Sequence, residues 1–124
     1  MSPAGLGIRF VANSVITTQK MLDERPDTVK RFMSALIEAW REALFPEHKD
    51  KAIETVLKYN QETPAAIVEK QLPATRILML PGPDSKFGKI DVEAWKQTEQ
   101  IMLDQKLIAV PVHIEKYLKP MIAN

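Results

Sequence analysis

The residues from Pro26 to Phe45, PDTVKRFMSALIEAWREALF, constrain this chain most. At about 100° per residue, Val29, Phe32, Met33, Leu36, Ile37, Ala39, Trp40, Ala43 and Leu44 fall within an arc of roughly 160°. Lys30, Arg31, Ser34, Glu38, Arg41 and Glu42 take the other side. The spacing predicts one long amphipathic helix. Pro26 suits a first helical turn, where its missing N–H is not needed, and Asp27 places negative charge at the positive end of the helix dipole. So wide an apolar face must lie against something.

The rest of the 124 residues follows in shorter pieces. IRFVANSVIT (8–17) is β-branched and apolar without a helical period, and suits a buried strand interrupted by Asn13 and Ser14. Thr17 or Thr18 can cap a short helix, QKMLDE, which must stop before Arg25-Pro26 because a residue preceding proline disfavours the α region. EHKDKAIETVLKYN carries Ala52, Ile53, Val56, Leu57 and Tyr59 on one face, with Asn60 as its stop.

Thr63-Pro64 reads as a cap and a first-turn proline for PAAIVEKQLPATRILML, within which Pro73 predicts a kink or break. PGPDSKFGK (81–89) is a loop. Asp91 caps a helix of about 13 residues, DVEAWKQTEQIML. Glu99 lies within that helix's apolar stripe, so it should pair with Lys96 or reach solvent. LIAVP links to a terminal helical stretch, HIEKYLKPM. The fold class expected is mainly α: five or six helices plus one N-terminal strand. A lone strand cannot satisfy its own N–H and C=O groups, so it needs a sheet supplied by another copy, another chain or a further part of the same gene.

Charge and composition exclude several classes. Lys and Arg number 17 against 16 Asp and Glu, intermixed, which is not a nucleic-acid or anionic-membrane footprint. With no cysteine, disulfides and thiolate metal sites are out. No apolar run nears the ~20 residues that span a bilayer, and the N-terminus lacks the pattern of a secretory signal, so the chain as written is expected to be cytoplasmic.

Candidates for chemistry are few. His48 sits among Glu47, Lys49 and Asp50, and His113 follows Pro111-Val112; both read as surface histidines, and no metal-ligand spacing links them. Glycine-rich phosphate loops and nucleophile elbows are missing, and Gly82-Pro83-Asp84 reads as a turn. Glu38 and Glu42 belong to a solvated face. Trp40 and Trp95 lie on apolar stripes, suited to a core or, alternatively, to stacking on a ligand. Asn13 and Ser14 are the polar pair in an informative place: polar side chains in an apolar strand are either satisfied internally or exposed at a strand end, where α/β folds bind ligands. They are the candidate ligand-binding residues. Catalytic and metal residues are expected to be none, and so are cofactors.

The order of ITTQKML (16–22), ERPDTVKRFMSALIEAWREAL (24–44), KAIETVLKYN (51–60) and GKIDVEAWKQTEQIMLDQKLI (88–108) resembles the C-terminal portion of substrate-binding proteins of ABC importers. The nearest class is that for nitrate, sulfonate, taurine and thiamine-pyrimidine precursors. In such proteins the segment resembling Val11–Thr18 is the strand returning from the second lobe to the first. The helix with the pattern of Pro26, Val29 and Phe32 then packs on the first lobe.

That resemblance covers residues 10–118 and implies a fragment of an α/β periplasmic-binding-protein type II fold. Residues 1–18 would be the hinge strand and 19–124 a helical part packing on the first lobe, all one segment. It implies a non-enzymatic solute-binding role for a longer parent, periplasmic or lipid-anchored, that binds a small molecule and docks on an ABC permease. The second reading is a standalone helical interaction module that self-associates, as a homo-oligomer or a strand-exchanged dimer. A third, an enzyme of thiamine-pyrimidine synthesis, would need a histidine-rich cofactor site.

Overall fold

A computed structural model describes residues 7, 11, 13–80 and 82–120. Among these the regular structure is helical: α1 (Gln19–Glu24), α2 (Pro26–Leu44), α3 (Lys49–Tyr59), α4 (Ala65–Met79) and α5 (Val92–Asp104), with 3-10 turns at Pro46–His48 and Ile114–Lys116. The described residues form two compact units. One holds the chain up to Gln19 together with Ile90–Pro120; the other is Lys20–Lys89.

In the second unit α2, α3 and α4 pack on one another in all three pairings. Arg25 and Phe45, each preceding a proline, bracket α2 with non-helical backbone, at φ −137°, ψ 50° and φ −75°, ψ 128°. Ile37 and Leu44 are its buried residues, joined by Ala52 of α3 and Val68 of α4. Val29, Met33, Leu36 and Ala43 are half-buried. The apolar arc is therefore covered along one edge only: Phe32 remains 58 % exposed and Trp40 36 %.

Two polar contacts tie the helices. A guanidinium N–H of Arg76 on α4 donates to the Leu44 carbonyl at 3.2 Å, taking one of the last α2 carbonyls, which have no partner within the helix. Its charged head lies 5.9 Å from the centre of the Phe45 ring. The Lys49 ammonium donates to Glu69 at 2.7 Å, joining α3 to α4.

Three local expectations change. Helix α4 starts at Ala65 with Pro64 as its N-cap, so Pro64 lies just outside the helix and no side chain caps the end. It then runs through Pro73 without a break. Pro73 is exposed, so the carbonyl four residues back, which loses its N–H partner, can turn to water. The terminal stretch HIEKYLKPM shortens to the single 3-10 turn Ile114–Lys116.

Of the expected N-terminal strand, residues 8–10 and 12 lie outside the described residues. Val11 and residues 13–17 are irregular and join no sheet. The described residues contain no strand, so the expected N-terminal strand is absent among them, and nothing there supplies ladder partners.

Candidate functional site

The first unit is organised by α5. Asp91 caps it as its sequence requires: the side chain accepts the Ala94 N–H at 3.0 Å. Two consecutive side chains, Thr98 and Glu99, then hold irregular chain on either flank. The Thr98 hydroxyl donates to the Ala94 carbonyl at 2.8 Å and accepts the Val11 N–H at 2.9 Å. Used as donor and acceptor at once, this hydroxyl is fixed in direction.

Asn13 and Ser14 therefore begin two residues beyond a fastened point, and α1 begins five residues after them. Both are exposed. An amide with two donors and one acceptor stands next to a hydroxyl that can do either, a neutral pair suited to hydrogen-bonding an anion or a heteroaromatic ring edge. Ile16, 88 % exposed, places bare apolar surface close by in the sequence.

Glu99 reaches the partly exposed edge of α5, and there it takes partners that the sequence did not name. Its carboxylate takes three successive backbone N–H groups, from Val112 at 2.6 Å, His113 at 2.9 Å and Ile114 at 3.0 Å. Lys96, the partner expected for it, pairs instead with Glu93 at 3.1 Å. The Ile114 N–H first, then those of His113 and Val112, hold the Glu99 carboxyl below the usual carboxylate range against the opposing effect of desolvation. His113 sits in the left-handed region at φ 57°, which turns the three N–H groups toward one point just before the 3-10 turn Ile114–Lys116. The signal was in the sequence, a carboxylate inside an apolar stripe. Its partner, 13 to 15 residues away, was not.

The other candidates separate. His48 and His113 fall in different units. His48 Nδ1 is 2.9 Å from Glu42 Oε2 without a hydrogen bond between them, and its ring lies 6.3 Å from that of Phe45. No group of three or more His, Asp or Glu among the described residues could hold a metal ion. Trp95 is half-buried. No helix among the described residues is long and apolar enough to cross a membrane.

A model of the family described as NMT1/THI5 like matches residues 1–52. The match takes in Asn13, Ser14, α1, the whole of α2 and the start of α3, and over those residues it supports a likeness to substrate-binding proteins. The segment GKIDVEAWKQTEQIMLDQKLI (88–108), part of the resemblance, lies outside it. No curated protein and no solved structure matches the chain.

Proposed function

We propose that this chain is the C-terminal segment of the solute-binding component of an ABC importer. The solute would be a small molecule such as nitrate, a sulfonate, taurine or a thiamine-pyrimidine precursor. The family match over residues 1–52 carries the reading. The half-covered face of α2 supports it, because an apolar stripe with Phe32 and Trp40 still open is suited to a larger body. Within the intact parent two lobes would close on the solute, with Asn13 and Ser14 on the connecting segment contributing polar contacts, and the closed form would engage the permease.

The test is the in-frame DNA upstream of Met1. Coding sequence for two lobes behind an export signal or lipid-attachment site is expected; a stop codon and an independent start sink the proposal. On the joined protein, nitrate, taurine and an aminopyrimidine are the probes. Replacing both Asn13 and Ser14 by alanine should weaken the one that binds by about tenfold, as for the loss of one or two hydrogen bonds.

A second reading, a self-associating helical module, rests on the apolar side chains left open on the second unit, among them Phe32, Ile77 and Leu78. Light scattering on the isolated chain separates the two. A concentration-dependent dimer that Phe32→Asp dissolves supports the module, and a monomer at all concentrations removes it.

A further inference from the structure

The segment after α5 is fastened at two points. The first is the end of α5 itself: the Lys106 N–H donates to the Leu103 carbonyl at 2.9 Å and the Leu107 N–H to the Met102 carbonyl at 2.8 Å, with Lys106 left-handed at φ 58°. That paired arrangement closes the helix and turns the chain away. The second is Glu99, where Val112, His113 and Ile114 all spend their N–H groups on one carboxylate. After it, the 3-10 turn Ile114–Lys116 packs on α5.

We infer that residues 106–120 form a strap whose docking on α5 is governed by the charge of Glu99: the ionised carboxylate holds it, and the neutral one lets it go. An ionised carboxylate accepts through both oxygens and can satisfy three donors, and charge-assisted bonds to it are about twice as strong as neutral ones. A carboxylic acid keeps its own proton and loses part of that capacity. Three partly exposed N–H groups would then exchange this acceptor for water.

Of the ionisable neighbours, His113 acts on Glu99 and the others have partners of their own. His113 on the strap favours its charged form, and the His113 ring has its own contact with Glu115 at 3.9 Å. On α5, Lys96 is engaged by Glu93 and Asp104 accepts from the Gln100 side-chain amide at 2.8 Å.

The sign follows from the Ile114, His113 and Val112 N–H groups holding the Glu99 carboxyl below the usual carboxylate range. The clasp is complete above the ordinary carboxylate value and fails as pH falls through the depressed one. The Thr98–Val11 tie involves no titrating group, so the other flank of α5 stays fastened.

The experiment is an NMR titration of the wild-type chain from pH 7 downward, with hydrogen exchange of Glu99→Gln and Glu93→Gln at pH 7. The Val112, His113 and Ile114 amides should move together with a single midpoint below that of free glutamate, before the amides of α5 lose protection. Glu99→Gln should lower protection of the same three amides by about tenfold while the interior of α5 changes by less than about threefold. Glu93→Gln should leave all of them unchanged. The inference is overturned if the three amides titrate separately, if Glu99→Gln keeps their protection, or if α5 melts with the strap. Should Glu99→Gln fail to fold, the wild-type titration still decides between these outcomes.

Discussion

The two units hold themselves together by different means. The one built from α2, α3 and α4 relies on apolar contact between helices, with Arg76 and Lys49 as polar braces at its edges. The one built around α5 has α5 as its one α-helix among the described residues and fastens irregular chain to it through side-chain acceptors, Thr98 on one flank and Glu99 on the other. Apolar packing tolerates a partly open face, since each buried side chain gains in proportion to the area it hides. Polar fastening depends on particular atoms in particular directions. Substitutions should therefore grade with burial in the first case and act all-or-none in the second.

The largest effect tests the packed unit. Leu44 is 6 % exposed at the meeting of α2 and Arg76, in a core with few buried side chains among the described residues. Leu44→Ala should cost about 3 kcal/mol in denaturant unfolding followed by helical circular dichroism. Phe32→Ala, at an open position on the same helix, should cost less than about 1 kcal/mol in the isolated chain. Equal costs would mean that the α2 face is covered where the structure leaves it open.

Next comes the brace. Arg76→Ala frees the Leu44 carbonyl and the face of the Phe45 ring together, and should cost about 1 kcal/mol, exposed as the arginine is. Arg76→Lys should restore only part of this, because an ammonium reproduces neither the planar stacking nor the fork of donors. Full recovery with lysine would reduce the contact to charge alone.

What could be read from the residues divides along the same line. Helix α1 matches QKMLDE, α2 ends within a residue of its expected bound, α3 stops at Asn60, and Asp91 caps α5 as its spacing demands. Each of these is decided within one turn by periodicity, a proline or a cap. The mainly helical class follows from them.

The misplacements are long-range or backbone-borne. Glu99 found its donors past the end of its own helix, and HIEKYLKPM, with the left-handed His113 at its start, forms a single 3-10 turn despite its helical composition. Pro73 did not break α4, since a proline on an exposed face leaves a carbonyl that water can serve. Asn13 and Ser14 were legible as polar interruptions of an apolar run. The hydroxyl that fastens the chain just before them, 87 residues away on α5, carries no mark in the sequence.

The left-handed residue at the end of α5 sharpens the contrast from the stabilising side. Lys106, at φ 58°, pays the clash between its Cβ and the backbone for a position that glycine fills freely. Lys106→Gly should raise the stability of the α5 unit by about 0.5–1 kcal/mol and leave the other unit's melting unchanged. A shift in both would mean that the two unfold as one.

The smallest effect concerns the surface pair of the packed unit. The hydrogen bond from Lys49 is the main cause that holds the Glu69 carboxyl below the usual carboxylate range, and the same bond holds Lys49 above the usual lysine range, yet both groups are solvent-exposed. The Glu69 contribution is present above the ordinary carboxylate value and lost as pH falls through the depressed one. The Lys49 contribution is present below the ordinary lysine value and lost as pH rises through the raised one. The pair thus works across the whole neutral range, screened by salt. Glu69→Gln should lower the melting temperature slightly at low ionic strength and not measurably in strong salt. A loss that persists in strong salt would show that packing around Glu69, rather than its charge, joins α3 to α4, and would extend the apolar account of this unit to its rim.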